Sequence, residues 1–310
     1  MRFRLTVLLL IGVGTIAAQY PVTVARAAMG TPWSVTVFAL DTLAARRVID
    51  SAYARVEEIE QSMSDYRTDS EINRLVRLPP RSFYAVSEDL YRVLRFSRTL
   101  ARRTRGAFDP TVGPLTKLWR RAFRQREFPP QQQIEEARSR VRWKHLRLRR
   151  DGRVWLARDS LQLDLGGIAK GYALDAVGKV LRESGHPSFL VDGGGDLLLG
   201  DAPPDRNVWR VETPIGTLDT ANVAIATSGA RFRFLDHDGR RYSHIIDPRT
   251  GYGVTSPREV TVIAPAAMLA DALASAASVL GERAKRKLES DYDGVSVHWS
   301  DEKDRKAKIR

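Results

Sequence analysis

Asp271 and Ser275 stand four residues apart in APAAMLADALASAASVLG, residues 264–281, a stretch so rich in alanine that a helix over it must be covered by protein on most faces. At that spacing the carboxylate and the hydroxyl share one helix face. Two hard oxygen ligands suit Mg²⁺, which takes few protein ligands and completes its octahedron with phosphate oxygens and water. An aspartate paired with a buried arginine, beside a serine bonded back to its own helix, accounts for the same two residues, and the helix alone does not choose.

A second charged constellation is LDLGGIAKGYALD, residues 163–175. Asp164 ends an expected strand (LQLDL), Gly166 and Gly167 make a turn, and Ile168, Tyr172, Ala173, Val177, Val180 and Leu181 recur at helical spacing until Gly185. A strand-to-helix junction aims free N–H groups and the positive end of a helix dipole at one point, so an anion fits there beside Lys170. A tight turn with solvated charges at its rim is the other reading. A third constellation is RYSHIIDPRTG, residues 241–251, with Asp247 locked before Pro248. Its histidine, His244, either accepts a proton from an attacking hydroxyl or simply ends a strand. The five histidines show no metal-ligand spacing and the chain has no cysteine, which argues against a zinc site.

The elements that must hold these residues are legible in outline. VTVARAAMGTPWSVTVFA reads as one or two strands broken at Gly30, and Asp41 caps a helix whose apolar face is Val48, Ile49, Ala52, Val56, Ile59 and Met63. After a polar loop, SDYRTDSE, Ser87 caps a second long helix that ends at Gly106, before a loop GAFDPTVGPL. QQQIEEARSRV reads as a helix, followed by a hairpin turning on Asp151-Gly152. Beyond Arg142 short strands dominate, with helices expected only near 167–184 and 266–280. Helices gathered in the first half and antiparallel strands in the second predict an α+β fold.

The chain has 310 residues, 43% of them hydrophobic, and a net charge of +13. Met1 to Arg4 carry two arginines and Leu5 to Ala18 are apolar or small, the shape of an export signal over residues 1–18 with the mature domain over 19–310. That pattern predicts a periplasmic protein, an uncleaved anchor being the second reading. Without cysteine the mature chain has neither disulfides nor a lipidated cysteine. The positive charge concentrates between Arg120 and Arg153, twelve Lys or Arg against four Asp or Glu. That segment lacks the stacking aromatics and motif spacing of a nucleic-acid module, so a solvated basic face is expected and no nucleic-acid partner.

Eight ordered blocks, MGTPWSVTV, MSDYRTDSEINRL, GAFDPTVGPLTKLW, LDLGGIAKGYALD, VDGGGDLLLG, ATSGARFRF, RYSHIIDPRTG and VTVIAPAAMLADALASA, span nearly all of the mature chain. Together they resemble the FAD:protein FMN transferases, the ApbE family of flavin transferases. The resemblance implies an α+β fold of T-fold type, FAD as donor substrate and Mg²⁺ at its pyrophosphate. It also implies a reaction joining FMN through its phosphate to a threonine or serine hydroxyl of an exported or membrane-bound protein, such as a subunit of a membrane redox complex, with release of AMP.

Carried over residue by residue, Asp164 and Lys170 contact FAD, while the backbone carbonyl of Gly167 joins Asp271 and Ser275 as metal ligands. Met29, Tyr66, Ala107, Phe108, Asp109 and Ile245 match the family's flavin and adenine contacts, with Tyr66 stacking on the isoalloxazine ring. His244 with Asp247 helps to deprotonate the incoming hydroxyl. Many members carry threonine at position 275 and many are lipoproteins; serine keeps the hydroxyl but loses the methyl that restricts its rotamers. Two other functions use part of the same residues: an FAD carrier that transfers nothing, and an Mg²⁺-dependent FAD pyrophosphatase in which water replaces the protein hydroxyl.

Overall fold

The computed structural model describes residues 19–157, 161–229 and 234–301. The expected signal, residues 1–18, and residues 230–233 of the ATSGARFRF block lie outside the described residues. β1 (Tyr20–Ala28) and β2 (Thr31–Ala39) form a hairpin whose two turn residues, Met29 and Gly30, take φ of 49° and 74°. Positive φ at both positions gives the turn a twist that matches the strands. Asp41 accepts the N–H groups of Leu43 and Ala44 to start α1 (Thr42–Met63), as expected. Short α2 (Glu71–Leu75) and β3 (Phe83–Ala85) lead to α3 (Glu88–Arg103), capped by Ser87.

The sequence reading takes GAFDPTVGPL as loop throughout, but the structure opens α4 (Gly113–Gln125) inside it. Pro114 sits in the first turn, where a missing N–H is no defect. α5 (Gln131–Ser139) follows, then the hairpin of β4 (Leu146–Leu148) and β5 (Arg153–Leu156), which with β3 makes a small sheet in the order β3-β5-β4. LQLDL is not a strand: residues 161–165 pair with no other strand, and the Asp164 N–H instead donates to the Pro110 carbonyl at 2.9 Å.

The rest of the chain supplies most of the main sheet. After α6 (Ala169–Glu183) come β6 (Phe189–Gly193), β7 (Leu197–Leu199), β8 (Trp209–Thr213), β9 (Gly216–Thr220) and β10 (Ala224–Ser228). β11 (Phe234–His237), β12 (Arg240–Ser243), β13 (Glu259–Ala264), α7 (Ala267–Leu280), α8 (Lys285–Asp291) and β14 (Ser296–Ser300) complete it. α8 corrects the expectation of only two late helices; it buries a single residue, Leu288, too little for a periodic pattern.

The seven-stranded sheet runs β1-β2-β6-β7-β10-β13-β14 with every neighbouring pair antiparallel. Strand alternation divides its side chains. Val35, Val191, Leu198, Ala226 and Val262 face the layer formed by α1, α6 and α7, whereas Leu190, Leu197, Ile225 and Ile263 pack with Val211 and Trp209 of the β8–β9 hairpin. A third apolar cluster joins Leu115 and Trp119 of α4 to Ile134 of α5 and Ile246.

Candidate active site

The site is organised where α6 crosses α7. Residues 167, 171 and 175 meet residues 275, 271 and 267 in antiparallel order. A Cβ on Gly167 would lie 2.7 Å from the Ser275 Oγ, and one on Gly171 would lie 2.2 Å from the Ala267 carbonyl oxygen. Only glycine allows that approach.

Neither helix has a side-chain cap from its own N-cap residue, Ile168 or Ala266. Each borrows an aspartate from the other. Asp271 Oδ2 accepts the Gly171 N–H at 3.0 Å, and Asp175 accepts the N–H groups of Ala267 and Met268 at 2.7 and 2.9 Å. One of the charges in LDLGGIAKGYALD is therefore structural: Asp175 starts α7.

Asp271 is 7% exposed. Its partner is a backbone N–H rather than an arginine, and Ser275, half-buried, makes no hydrogen bond among the described residues, although Ser278 bonds back to Ala274 at 2.9 Å. Burial, then the negative charge of Asp196, pushes the Asp271 carboxyl up to about 7 against the pull of Lys170 and the Gly171 N–H. A buried carboxylate with an oxygen that takes no bond from the described residues, beside an unbonded hydroxyl, fits a hard divalent cation. The described residues contain no group of three or more His, Cys, Asp or Glu placed for a metal, so the candidate ligands are this pair and a backbone carbonyl.

Lys170, on the first turn of α6, extends its ammonium to Asp196 Oδ2 at 2.6 Å. Burial alone would lower the lysine pKa, but Asp196 and Asp271 outweigh it and hold Lys170 above its ordinary value, so it carries its charge here. Asp164 Oδ1 accepts the Gly166 N–H at 2.8 Å and ties down the glycine turn. Its Oδ2 takes Arg120 Nη2 at 2.8 Å, and Arg120 also pairs with Asp65 and lies 4.1 Å from the centre of the Tyr66 ring. Tyr66 is 67% exposed, so the ring is supported by Arg120 and still open to a planar ligand.

The GAFD loop lies against the same turn. The Phe108 ring is 3.6 Å from where a Gly167 Cβ would stand. Asp109 holds its own loop: its carboxylate accepts from the Thr111 N–H and Oγ1 and from the Trp143 N–H, at 2.8, 2.6 and 2.9 Å. Ala107 beside it is buried. Met29 sits at the β1–β2 turn with its N–H on Glu60 Oε2 at 3.0 Å.

His244 and Ile245 occupy a separate loop after β12, closed by the Ser243 N–H to Val254 O at 3.0 Å and the Val254 N–H to Ile245 O at 2.8 Å. Asp247 accepts Arg249 through its N–H and guanidinium at 2.8 to 2.9 Å and shapes the turn to Gly251. That carboxylate is engaged with Arg249 rather than waiting for a substrate proton. α4 connects this loop to the rest: Trp119 Nε1 donates to Gly251 O at 2.8 Å, while the adjacent Arg120 reaches Asp164. Sequence reasoning missed Arg120, Asp65 and Asp196. Asp65 had a signal in its place beside Tyr66 in MSDYRTDSEINRL, and Asp196 in its place at the end of VDGGGD; Arg120 had none.

The sequence profile of the ApbE family matches residues 29–299. The chain is 33% identical to the FAD:protein FMN transferase of Vibrio cholerae over 269 residues, covering 82% of this chain and 80% of that protein. It is 31% identical to the protein of that name from Treponema pallidum over 324 residues, covering 96% and 90%. Among solved structures, a histidine-to-glycine mutant of flavin transferase ApbE from Vibrio cholerae superposes with a TM-score of 0.80 at 30% identity, over 90% of this chain and 93% of that one. The apo form of the Pseudomonas stutzeri flavinyl transferase ApbE gives 0.80 at 27% identity, over 92% and 96%. With this profile covering the α6–α7 crossing, the Arg120 cluster and the His244 loop alike, the chain belongs to the ApbE family.

Proposed function

We propose that this protein transfers FMN from FAD to a threonine or serine hydroxyl of a protein acceptor and releases AMP. The observation that carries the reading is the Asp271–Ser275 pair, facing Gly167 at the amino end of α6 with the Lys170 ammonium alongside. That geometry suits a diphosphate and a hard cation. Family membership supports the same reading.

Asp271, Ser275 and the Gly167 carbonyl are the groups that would hold Mg²⁺. When bound, the ion offsets charge on the diphosphate. Lys170 adds a fixed positive charge, and the Gly166–Gly167 turn lets the donor approach the backbone. Tyr66 and Phe108 orient the flavin, with Met29 and Ile245 at the rim. His244 takes the proton of the acceptor hydroxyl as its oxygen bonds to the FMN phosphorus, while the phosphorus–oxygen bond to AMP breaks. Asp247 supports this indirectly, by fixing the loop that bears His244.

We further propose that residues 1–18 export the chain, so that the enzyme works in the periplasm. Its acceptors would then be exported or membrane-bound proteins, redox-complex subunits among them. The test is incubation of the purified protein with FAD and Mg²⁺, with and without a threonine-bearing acceptor. FMN bound covalently to the acceptor supports transfer. Free FMN and AMP regardless of acceptor makes the protein a pyrophosphatase, and unchanged FAD makes it a carrier.

A further inference from the structure

The β6–β7 turn, DGGGD at residues 192–196, is built more tightly than a strand connection needs. Gly194 and Gly195 take φ of 74° and 98°, and a Cβ on Gly194 would lie 2.5 Å from Thr31 Oγ1. Asp192 Oδ1 accepts the Gly195 N–H at 2.7 Å, and the Gly193 N–H returns to the Asp196 carbonyl at 2.8 Å. The consequence is a fixed place for Asp196, which is 4% exposed and has both carboxylate oxygens assigned. Oδ1 accepts the Thr227 N–H of β10 at 3.1 Å, and Oδ2 takes Lys170 Nζ at 2.6 Å. With one oxygen pinned to the sheet, the other offers the ammonium a fixed acceptor.

We propose that Asp196 is a positioning residue, holding the Lys170 ammonium to one side of Asp271 so that Lys170 faces the donor's diphosphate and Asp271 stays free for a divalent cation. The inference rests on the reading of Lys170 and Asp271 given under Proposed function. Its physical basis is competition for one buried cation. Lys170 feels Asp196 first and Asp271 next. Without the Asp196 charge, Asp271, which holds the N–H of the residue after Lys170, exerts the strongest remaining pull on the ammonium, and an ammonium drawn there would block the carboxylate.

Asp196→Asn keeps an oxygen for the Thr227 N–H and removes only the charge. FAD affinity is read from flavin fluorescence, and cation affinity from the Mg²⁺ concentration that half-saturates the rise in melting temperature; neither assay contains an acceptor. We expect Asp196→Asn to weaken both by about tenfold, a mid-range coupling for charges in contact. In a Lys170→Met background, Asp196→Asn should change neither further.

Equal affinities for Lys170→Met and the double variant support the proposal even if the single Asp196→Asn chain folds poorly, because the double variant removes both buried charges. An additional loss in the double variant overturns it. So does an Asp196→Asn protein that melts lower with both affinities intact, since Asp196 would then only hold the turn. A wild type that binds FAD and Mg²⁺ but moves no FMN to an acceptor overturns the transferase reading and leaves this inference standing.

Discussion

Asp271 meets two demands from one buried position: it accepts the Gly171 N–H and, in the function proposed here, binds a cation. Asp271→Ala should therefore abolish FMN transfer and the effect of Mg²⁺ on melting. The lost bond at α6 is offset by removal of a buried charge, so the melting temperature of the metal-free protein should stay near wild type. A large drop in melting temperature with an unchanged Mg²⁺ requirement would remove Asp271 from the metal site. The same carboxyl gives a pH signature. Its folded value, about 7, lies above the unfolded value of 3.8, so the folded state keeps a proton that the unfolded chain releases between those limits. Its contribution to stability is full below about pH 4 and is lost as pH rises through 7. Metal-free wild type should lose stability relative to Asp271→Asn from pH 5 to 7.5, and more Mg²⁺ should be needed at pH 6 than at 7.5, where no proton has to leave. Parallel curves for the two proteins would contradict this. Tyr66 is simpler, because its ring is mostly in solvent. Tyr66→Ala should weaken FAD binding by about 1 kcal/mol, the worth of an aromatic stack, without lowering the melting temperature. Fluorescence titration and a melt on the same sample check both halves.

At the scale of elements, the reciprocal capping of α6 and α7 makes the crossing one unit rather than two helices in contact. Asp175→Ala removes the acceptor for two N–H groups at the start of α7 and should cost about 1–2 kcal/mol, as lost caps do. Because α7 carries both side-chain members of the candidate ligand set, the same variant should also weaken Mg²⁺ binding; a stability loss with unchanged Mg²⁺ affinity would separate the cap from the site. This scale also shows where sequence legibility stops. The caps at Asp41 and Ser87, the break at Gly30 and the turn at Asp151-Gly152 were readable because the residue that acts lies within a few positions of the groups it satisfies. The Asp271–Ser275 face was readable for the same reason. By contrast, Arg120 reaches Asp164 across 44 residues, and Asp175 caps a helix some 92 residues away. Nothing local in KLWRRAFRQ distinguishes the arginine that enters the site from those that stay in solvent. LQLDL has strand composition, yet the strand order leaves it no partner, and no single segment specifies that order.

For the whole molecule, the function proposed above has donor and cation bridging segments that lie far apart in the chain. The candidate contacts come from the β1–β2 turn, the loop after α1, the GAFD loop, the α6 junction, α7 and the loop after β12. α4 ties the His244 loop to the glycine turn: Leu115 and Trp119 share an apolar cluster with Ile246, Trp119 donates to Gly251 O, and Arg120 reaches Asp164. A ligand that binds only the folded state stabilises it by about 2.7 kcal/mol at a hundredfold excess over its Kd. For a chain of this size that corresponds to a rise in melting temperature of roughly 4–5 °C. FAD with Mg²⁺ should produce such a rise, and FAD alone a smaller one, because the diphosphate then meets Asp271 without an intervening cation. Arg120→Ala tests the linkage from a residue proposed to touch neither the cation nor the diphosphate. It frees α4 from the Asp65–Asp164 carboxylates and leaves those two buried side chains without the cation they share; burial and then Asp164 already raise the Asp65 carboxyl. The variant should melt lower than wild type by the equivalent of about 3–5 kcal/mol when ligand-free, as expected for a broken buried ion pair. It should then recover less than the full shift on adding FAD and Mg²⁺, because Tyr66 has lost its support and Asp164 its fixed position. A full ligand-induced shift in Arg120→Ala would mean that the flavin side of the site is set independently of α4.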